Sequence, residues 1–299
     1  IHDEKIIDAL KKLNKKYTKK YKVSLKLSYT EEYIKDNFIK QVTFTTLKVC
    51  SFLIFVIIGG VLGYIFLNNN NSLRKVKEIN EEINTILSSA EKDTIYNTVE
   101  YNEETSNNGN SNSSNNYLRS LLSLNSDTVG WLTVNGTNVD YPVVQTNDNK
   151  YYLRKNYNKQ KDFNGWIFMD YRNNPEVLDK NTIIYGHNIY YSDVMFGTLT
   201  KLTKKKWREV EENHYISFST LDEKLTWKIF SVYSINVTSD YLQTTFDSGD
   251  EWLEFTSKLK DRSDYEFDAE VKEDDKILTL STCLENNRRL VVHAVLVKK

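Results

Sequence analysis

The chain has 299 residues, with 40 Lys and Arg against 41 Asp and Glu, 39% hydrophobic residues and two cysteines, a length that allows one or two domains. The formal net charge of −1 excludes a general nucleic-acid binder, which carries a basic excess over its folded part, and two cysteines exclude a disulfide framework. The near-neutral total hides an asymmetry: residues 1–48 hold 12 Lys and 6 acidic side chains, whereas residues 117–299 hold 24 basic and 27 acidic ones, as expected of parts that occupy different surroundings.

Residues 1–48 mix Lys with Ile, Leu and Tyr and read as a basic cytoplasmic tail, a short amphipathic helix followed by a Lys/Tyr-rich stretch beside a membrane. Val49 to Leu67 (VCSFLIFVIIGGVLGYIFL) is 19 residues without a charge, or about 28 Å of helix against a hydrocarbon core of about 30 Å. It is apolar on every face, unlike a surface helix. A secretory signal has a shorter apolar core and a small-residue cleavage site, and Ile65-Phe66-Leu67-Asn68 offers none. The segment is therefore expected to remain as one transmembrane helix. Lys48 and 11 Lys within residues 1–40 precede it, while only Arg74, Lys75 and Lys77 closely follow. The positive-inside rule then puts the N-terminus in the cytoplasm and everything after about residue 68 outside.

Ser72 to Ser89 carries Leu73, Val76, Ile79, Ile83, Ile86 and Leu87 at spacings of three and four, which predicts a helix. Residues 97–116 are dominated by Asn and Ser and read as a flexible spacer that buries too little apolar surface to fold. Residues 68–116 are thus expected to be a juxtamembrane helix and linker, with a separate domain over 117–299. That domain opens on a short amphipathic helix, YLRSLLSLN. Strand-like runs rich in β-branched and aromatic residues follow at 129–134, 139–145, 166–170, 182–187, 215–220, 225–235, 276–283 and 290–297. One helix interrupts them, where Trp252, Phe255 and Leu259 fall at helical spacing within 249–259. Short strands with few helices predict a mainly β fold, a closed barrel or a sandwich.

Cys50 lies in the apolar span and Cys283 beyond it, so the two cannot pair and Cys283 is an unpaired thiol outside the membrane. Such a cysteine is commonly a small core hydrophobe; its neighbours argue otherwise. In Lys276–Cys283 (KILTLSTC), alternation puts Ile277, Thr279, Ser281 and Cys283 on one face and Leu278, Leu280 and Thr282 on the other. A short polar connection, Leu284 to Arg288, leads into RLVVHAVLV, as between antiparallel neighbours, so Cys283 and Arg289 flank the mouth of a hairpin. A guanidinium there can stabilise a thiolate or an oxyanion. A nucleophilic thiol also needs a proton-transfer partner, most often His. His2 is on the wrong side of the membrane, His293 lies four residues too deep, and His214 has the polar approach of an ordinary exposed residue. His187 remains, at the end of TIIYGHN, where Gly186 allows close backbone approach. No metal-ligand spacing supports a zinc site, and no cofactor is expected.

The combination of YGHN, LTLSTC and a following Arg-Leu-Val-Val resembles the sortases, membrane-anchored cysteine transpeptidases of Gram-positive bacteria. DTVGWL at 127–132, DYPVVQ at 140–145, GWIFMD at 165–170 and Met195-Phe196-Gly197, with the helix before the cysteine strand, resemble class B. The resemblance covers about residues 117–297. It implies an eight-stranded β-barrel, with Cys283 as nucleophile, His187 as acid/base and Arg289 as transition-state stabiliser. It also implies substrate contacts at Ser281, Thr282, Asn188 and Leu284, although alternation turns Ser281 and Thr282 to opposite faces. The implied partners are secreted proteins with a C-terminal sorting signal of LPXTG or NPQTN type and the amine of a peptidoglycan precursor, lipid II. Leu284 stands where class B members often carry a polar residue, and the Cys-to-Arg gap is short. Two further readings stay open: a sortase that polymerises pilins through a Lys acceptor, and a membrane-tethered adhesion module with an inert thiol. A papain-like protease would place Cys before His along the chain.

Overall fold

The computed structural model describes residues 2–21, 31–102, 116–188, 192–283 and 288–298, which fall into two compact units, Ile1–Leu67 and Asn68–Lys299. The first unit holds α1 (His2–Tyr21) and the opening part of α2 (Glu31–Asn102). The span read from sequence lies in α2, with Phe52, Phe55, Ile57, Leu62 and Phe66 all exposed. This stretch is long and apolar enough to cross a membrane, and helix satisfies every backbone polar group internally, as a bilayer demands.

In the second unit α2 continues from Asn68. Val76, Ile79 and Ile83, one stripe at helical spacing, are buried in the same cluster as Leu118, Leu121, Tyr152 and Tyr157. The folded unit therefore starts at Asn68, not at Tyr117 as composition had implied. An amphipathic helix needs a surface for its apolar stripe, and this one finds it on the barrel. Helix also takes in residues 97–102 of the expected spacer; residues 103–115 lie outside the described residues.

The barrel comprises β1 (Thr128–Val134), β2 (Asp140–Val144), β3 (Phe168–Met169), β4 (Asn181–Gly186), β5 (Tyr215–Thr220), β6 (Thr226–Asn236), β7 (Ile277–Cys283) and β8 (Arg288–Lys298). They close in the order β1-β2-β3-β4-β7-β8-β6-β5, which removes every sheet edge. The fold is the eight-stranded barrel that the sequence implied, and each strand run lies where β-branched and aromatic residues placed it. Two neighbouring pairs are parallel, β2 with β3 and β4 with β7, and parallel neighbours need long crossovers. The crossover from β2 to β3 runs over 145–167 and, as shown below, carries part of the site.

Alternation along β7 and β8 sends Leu278, Leu280, Leu290, Val292 and Ala294 into the barrel interior. Ile277, Val291 and Val295 face outward, into a second cluster with Phe230, Trp252, Phe255 and Leu259. The last three belong to α5 (Gly249–Asp261), which packs on the outer face as its periodicity predicted. The Ser248 hydroxyl caps α5 by accepting from the Glu251 backbone N–H, satisfying one of the orphan donors of its first turn. Short helices α3 (Asn116–Arg119) and α4 (Lys205–Arg208) complete the unit.

Candidate active site

Three adjacent strands bring the predicted chemistry to one end of the barrel. The parallel register of β4 and β7 pairs Tyr185 with Ser281 and Gly186 with Thr282, so the next residues on each strand, His187 and Cys283, stand side by side. The antiparallel register of β7 and β8 pairs Cys283 with Arg289. Neighbouring strands are separated by about 5 Å, and residues in one row share a face. His187, Cys283 and Arg289 therefore form one row on the outer face. The row beneath is Tyr185, Ser281 and Val291, and below that lie Ile183, Thr279 and His293. Cys283, described through its backbone, ends β7.

His187 is half-buried just past the end of β4. Its Nε2–H donates to the Leu153 carbonyl at 3.0 Å, a bond that selects this tautomer and leaves the basic lone pair on Nδ1. Burial holds its pKa below the ordinary 6.5, and the charges of Arg154 and Arg289 push the same way against the raising effect of the Leu153 bond. The imidazole is thus neutral near pH 7 and ready to accept a proton. Gly186 has no side chain because one would collide with the ring of Phe196, 2.7 Å from its ideal Cβ. The Phe196 N–H in turn donates to the His187 carbonyl at 3.0 Å, fixing the turn.

The remaining predicted positions separate. Ser281 shares the face of Cys283 but is buried, its hydroxyl 2.9 Å from that of Tyr241. Thr282 is buried on the opposite, inward face with Leu278 and Leu280. Asn188 is half-buried, its backbone bridged to Met195. Leu284 lies outside the described residues. His293 is fully buried, as its depth implied, with Nε2 2.9 Å from the Tyr233 hydroxyl and Nδ1 2.9 Å from Thr279 Oγ1. His214 differs from expectation: it is half-buried, and Nε2–H donates to the Arg208 carbonyl at 2.7 Å. Among the described residues no three His, Cys, Asp or Glu side chains converge to hold a metal.

Sequence reasoning missed Leu153 and Arg154, which come from the 145–167 crossover and carry no signal in spacing. It also missed the set around Asp170. That fully buried carboxylate accepts from Arg172 Nε at 2.9 Å and Nη2 at 2.8 Å, and from the Tyr185 hydroxyl at 2.8 Å. Burial alone would raise its pKa, but the bonds from Arg172 and Tyr185 hold it below the usual carboxylate value. Tyr185 was legible in part, since it stands two residues before His187 and so on the same face.

A cysteine at a strand end, a neutral histidine beside it and an arginine paired across it on a closed eight-stranded barrel form a grouping suited to thiol acyl transfer. The Sortase domain family matches residues 132–297, and the chain belongs to the sortase family, cysteine transpeptidases, in its class B. Sortase B of Listeria monocytogenes is 41% identical over 166 residues, spanning 56% of this chain and 66% of that protein. Sortase B of Staphylococcus aureus is 34% identical over 185 residues, spanning 60% of this chain and 75% of that protein. The crystal structure of sortase B from Bacillus anthracis superposes with a TM-score of 0.57 at 38% identity, covering 61% of this chain and 85% of that one.

Proposed function

We propose that this protein cleaves a C-terminal sorting signal of LPXTG or NPQTN type in secreted proteins after Thr and transfers the acyl group to a peptidoglycan-precursor amine such as that of lipid II. The observation that carries the reading is the row His187, Cys283 and Arg289 on β4, β7 and β8. Neutral His187 takes the Cys283 thiol proton as the sulfur attacks the Thr carbonyl carbon. The new C–S bond leaves negative charge on the carbonyl oxygen, which Arg289 stabilises. Collapse breaks the C–N bond, and His187 returns its proton to the departing amine, leaving a thioester on Cys283. The acceptor amine then attacks that carbonyl carbon, giving a proton to His187. The C–S bond breaks, the sulfur recovers the proton, and an amide is formed.

The flanking segments fit this task. We place residues 49–67 across the cell membrane, the basic residues 1–48 in the cytoplasm and the barrel outside, where membrane-embedded precursors and emerging substrates meet. The test is intact-mass analysis of the full-length chain in detergent micelles after incubation with LPXTG-, NPQTN- and SPXTG-like peptides. An adduct on Cys283 that retains the residues through Thr supports the acyl-enzyme and identifies the motif. A folded protein whose Cys283 forms no adduct and resists alkylation overturns it. Cys283→Ala and His187→Ala are each expected to abolish transfer with the fold retained.

A further inference from the structure

We propose that the helix leading on from Asn68 is a positioning element for His187, with Ser72 as its positioning residue. The inference rests on His187 being the proton-transfer group.

The first link passes through the crossover that holds the imidazole. Ser72, 4% exposed, donates its hydroxyl to Asp162 Oδ1, itself a buried carboxylate oxygen that also accepts from the Asn164 N–H at 2.9 Å. The Asp162 N–H donates to the Arg154 carbonyl at 3.0 Å, and the Trp166 N–H donates to the Tyr152 carbonyl at 2.9 Å. The carbonyls of the residues before and after Leu153 are thereby pinned. Leu153's own carbonyl is the acceptor that orients the His187 ring. Gly165, at φ +59°, permits this approach, since a Cβ there would lie 2.4 Å from the Tyr152 carbonyl oxygen.

A second link reaches the turn that follows His187. Tyr141, which shares a core cluster with Val76, Ile79 and Ile83 of the helix, accepts on its phenol oxygen from the Met195 N–H at 3.3 Å. Met195 is bridged to Asn188, and its neighbour Phe196 donates to the His187 carbonyl. One helix thus reaches the loop that sets the ring's tautomer through a hydrogen bond and the loop that sets its backbone through packing. Beyond that polar contact, Val76, Ile79 and Ile83 share the same cluster with Tyr152, Met195 and Phe196. A helix whose only task was to connect would not need a buried polar contact aimed at the loop that holds the imidazole.

The test uses the full-length chain in detergent micelles, with Ser72→Ala and Ser72→Thr. Ser72→Ala is expected to lower kcat for acyl transfer about tenfold with KM within about twofold, since small misplacements of a reacting group are costly. The thermal midpoint should move little, and Ser72→Thr should restore most of the rate. The direct signature is the ¹⁵N spectrum of the His187 imidazole: wild type shows the Nε2–H tautomer, and Ser72→Ala a mixture. Wild-type kcat with an unchanged tautomer overturns the proposal. So does a rate that falls only in step with the folded fraction. His187→Ala separates this from the reading it rests on: transfer surviving there removes His187 from the mechanism, whereas an inactive His187→Ala beside a wild-type-like Ser72→Ala removes the helix alone.

Discussion

His187 works between two cations, and they bear on it differently. Arg154 is exposed on the crossover while Arg289 is half-buried across from Cys283, yet both charges lower the His187 pKa. Removing a positive charge eases protonation, so Arg154→Ala should raise that pKa toward 6.5 and move the acid limb of the kcat/KM profile to higher pH. Because Arg154 faces solvent, the displacement should shrink as salt is added. A pH–rate series at two ionic strengths checks this, and an unmoved limb would remove Arg154 from the electrostatics of the site. Arg289→Lys keeps the charge but loses the planar fork of donors. It should leave the acid limb in place while costing most of the rate, and wild-type turnover in that variant would make Arg289 a bystander.

At the scale of elements, α5 and four strands are tied together by a buried chain of hydrogen bonds. The Tyr233 hydroxyl donates to His293 Nε2, His293 Nδ1–H to Thr279 Oγ1, and Thr279 to Asn181 Oδ1 at 2.6 Å. Asn181 Nδ2 then donates to the carbonyls of Tyr241 and Gln243, at 3.2 and 2.9 Å, on the segment leading into α5. Arg262 and Asp240 close the other end at Tyr233. Burial, with the charge of Arg262 adding to it, drives the His293 pKa down to about 3. An unfolded chain would bind that proton near the ordinary 6.5. Below that value the unfolded state binds more protons than the folded one, so stability is full above about pH 6.5 and falls progressively toward pH 3. His187 contributes in the same direction. Thermal midpoints measured across pH 3–8 should show this acid branch, and His293→Gln should flatten it while costing about 1–3 kcal/mol at pH 7 through unpaired partners. An unchanged branch in that variant would assign the loss to other groups. The strands joined here were legible in the sequence because alternation and β-branching are local properties. Their bonds were not, since Asn181, Tyr233, Thr279 and His293 meet only through the closed strand order. The same limit hid Leu153, whose part is played by a backbone carbonyl and not by a side chain.

Over the whole molecule, what composition misjudged was where the folded unit begins. The Asn/Ser-rich run at 97–116 looks like a boundary, and the helix before it was read without a partner, yet Val76, Ile79 and Ile83 are buried with Leu118, Leu121, Tyr152 and Tyr157. Periodicity revealed the apolar stripe, but a stripe does not name the surface it covers. The proposed catalytic row, by contrast, could be placed from sequence because His187, Cys283 and Arg289 each sit at or beside a strand end, where pairing decides who meets. A chain starting at Asn116 would keep all eight strands and lose this helix, exposing the apolar surface it covers. Burying each such side chain is worth about 1.5–3 kcal/mol, so the total is a large part of the roughly 5–15 kcal/mol that holds a domain together. The chain from Asn116 should therefore unfold at a markedly lower temperature than the chain from Asn68 and bind a hydrophobic dye that the longer one excludes. Equal midpoints would mean that the barrel is indifferent to α2, and the folded unit would then begin where composition first placed it.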